Sequence, residues 1–221
     1  MNYLTHKLLN SEELEILRKN LEKHSLEWED GKLTAGKHAA KGKNNLQRRR
    51  DSDLSIKFSG LITKRVLSNE LIKSFALPKK IHGTIFSKST SGMKYGRHID
   101  NAYMSSGRAD LSFTVFLNCK KKYEGGALSI QGLNSEEKFK LDAGEIIIYP
   151  STYLHSVEKV IDGERLVFIG WIESYVKSIE EREYLFDLDA AARSLLAKYG
   201  RSEEVDLIYK SYSNFLRRLG N

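Results

Sequence analysis

Residues 139–172 read FKLDAGEIIIYPSTYLHSVEKVIDGERLVFIGWI, and their period decides the fold. Short apolar runs at 139–141, 145–149, 156–161 and 165–172 alternate with turn signals at Ala143-Gly144 and Asp162-Gly163, the pattern of strands and not of helices. Working outward, the same pattern recurs at 81–87, 111–118 and 127–131, with Gly125-Gly126 and Gly132 as punctuation. About seven or eight strands at this spacing, all between Lys80 and Tyr175, predict a barrel or jelly-roll sandwich.

The flanks have a different period. Ser11 before Glu12, Glu13, Leu14, Leu17 and Leu21 predicts a helix capped by Ser11, its acids facing the positive helix end, and ending near Trp28. Leu54, Phe58, Leu61, Ile62, Val66, Leu71 and Phe75 predict one helix and a short second one capped by Ser68, closed by Pro78. In the tail, Leu185, Leu188, Ala192, Leu195 and Tyr199 form one stripe stopped by Gly200, and Val205, Ile208, Tyr212, Phe215 and Leu219 form another behind Ser202. The tail's aromatic stripe is expected to pack against a partner helix. Between the first helices lies 31–50, with Lys32, Lys37, His38, Lys41, Lys43, Arg48, Arg49 and Arg50, three glycines and no Phe, Tyr or Trp. It cannot bury itself by composition and is expected to be a long, mobile loop or lid.

Helices before and after a β core give an α+β chain, expected to be one domain over 1–221. Its parts are a mainly helical 1–79 containing the basic loop, a β core at 80–175 and C-terminal helices at 176–221. The 221 residues carry 36 Lys plus Arg against 29 Asp plus Glu, a formal charge of +7, which favours an anionic partner only weakly. The single cysteine, Cys119, forms no internal disulfide. No stretch approaches the about 18 consecutive apolar residues of a membrane span, and the first residues lack a signal peptide's apolar run. A cytoplasmic protein with no membrane partner is the expectation. Oligomeric state is not written in the sequence.

His98-Ile99-Asp100 places two ligand types two residues apart, so that on extended chain both point to one side. Alone the pair is weak, since about one such motif arises by chance in a chain of this composition. His155 in a second strand-like segment adds to it. Two histidines and a carboxylate are the set that holds non-haem Fe(II) on one face and leaves coordination positions open. A bidentate 2-oxo acid fills two of them and O2 the third, and Arg165 supplies a planar fork for the acid's remote carboxylate. Arg165, Val167, Ile169 and Trp171 share one strand face, and His155, Val157, Lys159 and Ile161 another. A three-residue hairpin loop, Asp162-Gly163-Glu164, would turn both faces the same way. Each residue also has a plainer role: a surface pair for His98 and Asp100, a barrel-end histidine for His155, a solvent-facing arginine for Arg165. Ser112 and Thr114 could bind the cosubstrate or bond internally, and Tyr95 could touch the cosubstrate or support its turn.

The blocks around these residues resemble the PKHD-type (prokaryotic prolyl-hydroxylase-like) dioxygenases. The likeness runs through Tyr95-Gly96-Arg97-His98-Ile99-Asp100, Arg108-Ala109-Asp110-Leu111-Ser112, Tyr123-Glu124-Gly125-Gly126, Leu141-Asp142-Ala143-Gly144-Glu145, Tyr149-Pro150-Ser151, Leu154-His155, Trp171-Ile172-Glu173-Ser174 and Leu185-Phe186-Asp187-Leu188-Asp189. The resemblance implies a double-stranded β-helix (jelly-roll, cupin-like) core with Fe(II) on His98, Asp100 and His155 and 2-oxoglutarate on Arg165. It implies O2 as second cosubstrate, ascorbate as a stimulant, and succinate and CO2 as products of hydroxylating a C–H bond. A peptidyl proline is the first substrate it suggests and a small molecule the second. Two departures stand out: Ser89 replaces a tyrosine usual in that strand, and the link from Asp100 to Arg108 is short. Rival functions are oxidation of a nucleic-acid base, disfavoured because 31–50 offers no stacking aromatic, and a metal or 2-oxoglutarate sensor without turnover.

Overall fold

The computed structural model describes residues 3–23, 27–34, 36, 40–132 and 135–221. In chain order the strands are β1 (Leu4–Lys7), β2 (Trp28–Asp30), β3 (Lys43–Asn44), β4 (Leu46–Arg48), β5 (Pro78–Thr90), β6 (Lys94–His98), β7 (Tyr103–Met104) and β8 (Gly107–Arg108). They continue as β9 (Leu111–Phe116), β10 (Tyr123–Gly125), β11 (Leu128–Gln131), β12 (Glu136–Phe139), β13 (Glu145–Pro150), β14 (His155–Val157) and β15 (Val160–Ser174). The larger sheet runs β1-β13-β9-β15-β5-β4-β2, with β10 added to β15, and the smaller runs β12-β11-β14-β6-β3. A separate β7-β8 hairpin fills the link from Asp100 to Arg108. The pairings are antiparallel, as a jelly roll requires.

The apolar runs of the larger sheet are continuous because both of its faces are covered. Along β13, Ile146 and Ile148 join Phe113, Val115 and Phe168 in an outer cluster that takes Leu14, Leu17 and Leu21 from α1 (Ser11–Lys23) and Phe58, Ile62 and Val66 from α2 (Asp53–Ser68). Ile147 and Tyr149 point the other way, into a cluster with Phe116, Val167, Leu128, Ile130 and Phe139. Alternation along one strand thus builds two cores, each such side chain contributing about 1.5–3 kcal/mol on burial.

Several expectations change. The cap of α1 is Asn10, whose side chain accepts from the Glu13 amide while Glu13 returns a bond to the Asn10 amide, a reciprocal box that Ser11 cannot make from inside the helix. The helix is described to Lys23 and 24–26 lie outside the described residues, but Trp28 already belongs to β2. Asn69, not Ser68, caps α3 (Glu70–Ala76), and Ser52 caps α2. The tail forms α4 (Ile179–Tyr199), stopped by Gly200, and α5 (Glu203–Leu219), capped by Ser202. Tyr212, Leu216 and Leu219 pack toward Leu185, Val176 and Leu77, whereas Tyr199 and Phe215 are exposed.

Two corrections bear on function. The stretch 31–50 is not one loose loop: it contributes a 3-10 turn at Gly31–Thr34 and strands β3 and β4, and Lys43, Asn45, Gln47 and Arg48 are buried. Lys37 and His38 lie outside the described residues. Second, β14 and β15 form no hairpin. β14 pairs with β11 and β6 in the smaller sheet, while β15 pairs with β5, β9 and β10 in the larger, Gly163 standing opposite Tyr123. The chain crosses between sheets at 158–159, so the two strands face each other across the interior, and Arg165 still points inward.

Candidate active site

His98 ends β6 and His155 begins β14, and the antiparallel register sets them opposite one another, their rings 4.3 Å apart. Each ring is fixed by its own chain. His98 donates its Nδ1 proton to the Gly96 carbonyl at 2.8 Å and His155 donates the same atom to the Tyr153 carbonyl at 2.9 Å. A carbonyl only accepts, so both tautomers leave Nε2 as a lone-pair donor toward the interior. Asp100 brings Oδ2 to 3.8 Å from His155 Nε2. The ligand atoms of His98, Asp100 and His155 all lie within 4.8 Å of one another, so side-chain shifts of under about an ångström each bring them onto one ion with bonds of about 2–2.2 Å. Burial first, then the neighbouring His155, pushes the His98 imidazole down to about 4, which keeps it in the neutral, ligating form.

Ser112, a candidate cosubstrate hydroxyl, is engaged elsewhere: it donates to Asp100 Oδ2 at 2.6 Å and meets Ser151 Oγ at 2.7 Å. It therefore orients the carboxylate. Thr114 and Tyr149 line the same cavity, and burial first, then the Asp100 charge, hold the Tyr149 phenol well above its ordinary pKa. Tyr95 stacks on His98 at 3.7 Å and is pushed up to about 12 by burial and then by Asp100, so it stays a neutral phenol.

Arg165, Val167, Ile169 and Trp171 all line one cavity of about 590 Å³ together with His98, Asp100 and His155, as strand parity predicts. Arg165 is 3% exposed, its guanidinium 5.5 Å over the Phe116 ring. Burial lowers its pKa, with Tyr123 and Tyr149 opposing that effect. Its Nε has no partner, and no described carboxylate pairs with it. A buried cation without a counter-charge costs several kcal/mol unless a ligand supplies one. Ser89 stands opposite Arg165 in the register and lines the same cavity, leaving space where a tyrosine would fill it. The residues that spacing missed are Tyr149, Ser151, Lys43 and Arg50, while Trp171 was placed on the Arg165 face without a role. Face parity would have found Tyr149; the others come from turns and a two-residue strand, where no period exists.

Residues 84–173 match the 2OG-Fe(II) oxygenase superfamily, and 180–220 match the PKHD-type hydroxylase C-terminal domain. The chain is 73% identical over 220 residues, all of both chains, to a PKHD-type hydroxylase of Prochlorococcus marinus (strain MIT 9215). Among solved structures it is similar to a Pseudomonas putida prolyl-4-hydroxylase (TM-score 0.58, 16% identity, 78% of this chain and 92% of that one). It is also similar to HygX from Streptomyces hygroscopicus, solved with nickel and 2-oxoglutarate bound (TM-score 0.56, 14% identity, 80% and 84%). At such identities the likeness is one of fold.

Proposed function

This chain belongs to the PKHD-type hydroxylases of the 2OG-Fe(II) oxygenase superfamily, and on that premise we propose how its residues divide the work. It is an Fe(II)- and 2-oxoglutarate-dependent dioxygenase that hydroxylates its substrate. His98, Asp100 and His155 would hold the iron, and Arg165 the distal carboxylate of 2-oxoglutarate. When bound, the metal supplies activation of O2 for inserting oxygen into a C–H bond while 2-oxoglutarate is converted to succinate and CO2.

The protein's own part is positioning. The Gly96 and Tyr153 carbonyls aim the two imidazoles and Ser112 aims Asp100, which raises ligand basicity and fixes geometry before the metal arrives. Arg165 accepts a carboxylate through a planar, charge-assisted fork and so sets the length of the oxo acid that fits. Val167, Ile169 and Leu128 keep the lining between these polar groups apolar, excluding water from the reacting atoms.

The observation that carries this assignment is the unpaired, buried Arg165 on the cavity that also receives two free Nε2 atoms and a carboxylate. Residues 1–221 act as one catalytic unit in this reading. For the substrate, a prolyl residue in a peptide is the first to test, from the prolyl-4-hydroxylase likeness, and a small molecule the second, HygX having also been solved with hygromycin B bound. Among the described residues no helix is long and apolar enough to cross a membrane. The test is anaerobic addition of Fe(II) and 2-oxoglutarate, following the visible charge-transfer band of a bidentate chelate. Wild type should develop the band and His98→Ala, Asp100→Ala and His155→Ala should not; a band that survives all three substitutions contradicts the ligand assignment.

A further inference from the structure

With iron and 2-oxoglutarate assigned as above, the charges at the metal balance: the ion against the cosubstrate dianion, Asp100 against Arg165. Lys43 and Arg50 face the same cavity, and among the described residues neither forms an ion pair with a carboxylate. Lys43 is 5% exposed; its Nζ donates to Thr34 Oγ1 at 3.2 Å and lies 5.0 Å over the Tyr95 ring, and no described carboxylate is at ion-pair distance. Arg50 spends one bond, 3.1 Å, on the Gly83 carbonyl. Gly83 (φ +64°) is bare because a Cβ there would come within 2.7 Å of the Trp171 ring. That close approach brings the indole beside the Arg50 anchor. Trp171 Nε1 is buried with no partner, an orphan donor of the kind native interiors rarely tolerate without a ligand. Three donors, two of them cationic, thus line one cavity from β3, from the turn after β4 and from β15.

We propose that Lys43, Arg50 and Trp171 form a second anion subsite that takes a carboxylate of the primary substrate. The proposal rests on the iron and 2-oxoglutarate assignment and names the substrate class that assignment leaves open. Its place follows from a row of rings: Lys43 over Tyr95, Tyr95 on His98, His98 beside His155, and His155 5.3 Å from Tyr149. Tyr149 in turn faces the Arg165 charge. The two cationic groups therefore flank the metal ligands from opposite ends. 2-Oxoglutarate has two carboxylates, one committed at the metal and one at Arg165, so the far pair needs a different acid. A peptide's acidic side chain, a chain terminus and a free amino or hydroxy acid share this chemistry.

The experiment uses the full chain with Zn(II) in place of iron and saturating 2-oxoglutarate, titrated with acetate and separately with acetamide. The readout is the Trp171 indole N–H resonance. The chain has two tryptophans, so Trp28 is the internal control. Acetate should move the Trp171 signal saturably at concentrations at least about 10-fold below those acetamide needs, charge-assisted bonds being the stronger. Arg50→Gln and Lys43→Met should each weaken acetate about 5-fold or more and leave Trp28 and the zinc and 2-oxoglutarate affinities in place. Equal responses to acetate and acetamide, or undiminished acetate affinity in both variants, overturn the subsite. Parallel loss of 2-oxoglutarate in those variants also overturns it, since the wall would then serve the cosubstrate. Zinc and 2-oxoglutarate binding, titrated on the same samples, reports on the metal assignment independently.

Discussion

Arg165 and the Lys43–Arg50 pair both present positive charge to one cavity, but on different supports. Arg165 is carried by β15, which lies between β5 and β9 in the larger sheet, and rests on the Phe116 ring. The strand that carries it is held by neighbours on both sides. Lys43 is on a two-residue strand at the edge of the smaller sheet, and Arg50 is in the turn that follows three-residue β4. Short edges with few pairing partners yield at lower cost than central strands. The difference fits a rigid cation for the acid consumed in every cycle and an adjustable pair for the molecule to be modified.

The comparison can be broken or sharpened by substitution, beginning with the largest expected effect. Asp100→Ala removes a proposed ligand that both ends depend on and should lower Fe(II) or Zn(II) affinity by more than about 100-fold, beyond the range of orienting residues; unchanged metal binding in a titration would remove the midpoint of the comparison. Arg48 is fully buried and bonded to Glu27 and the Leu21 carbonyl, so it anchors β4, the strand that leads into the Arg50 turn. Arg48→Ala should cost about 3 kcal/mol in denaturant unfolding, the lower end for breaking a buried ion pair, whereas Arg49→Ala, exposed and paired with Asp51, should change stability by less than about 0.5 kcal/mol. Equal losses would mean the three adjacent arginines do not differ as described.

Ser112→Ala should weaken metal binding by about 10-fold or more through the disoriented Asp100, with the 2-oxoglutarate affinity of the metal-loaded protein little altered. The smallest effect is a pH dependence confined to one end. Burial and the nearby Arg50 charge push the Lys43 ammonium down to about 8, against Asp100 and Asp30, which favour its charge. Acetate binding at Trp171 should therefore be full near pH 7 and decline as pH rises through about 8, when the ammonium loses its proton. Lys43→Met should show no such decline; a slope that persists in the variant places the titrating group elsewhere.

The β core was legible because its runs are long enough to show a period and apolar enough to be filled from both faces. The triad was legible because His98 and Asp100 are separated by one residue on extended chain. Parity also placed Arg165 and Trp171 on one face correctly, although the hairpin invoked to turn that face inward does not exist. Alternation specifies which side chains share a face and carries no information about which strand lies next to them. Residues 43–48 were illegible for two reasons: strands of two and three residues are too short for a period, and the side chains they bury, Lys43, Asn45, Gln47 and Arg48, are polar. Composition then reads a buried wall as a solvated lid. The caps were misplaced by one residue where Asn10 and Asn69 stand beside Ser11 and Ser68, residue types of nearly equal capping strength.

The central claim, that the two ends serve different acids, is tested most directly by titrating 2-oxoglutarate into the metal-loaded wild type, Arg165→Ala and Arg50→Gln. A buried, charge-assisted carboxylate contact is worth at least about 1.5–3 kcal/mol, so Arg165→Ala should weaken 2-oxoglutarate by about 10- to 150-fold with metal affinity nearly unchanged. Arg50→Gln should leave 2-oxoglutarate binding within about 2-fold of wild type. Equal weakening by both substitutions, or unchanged affinity in Arg165→Ala, would contradict the division of the cavity into a cosubstrate end and a substrate end.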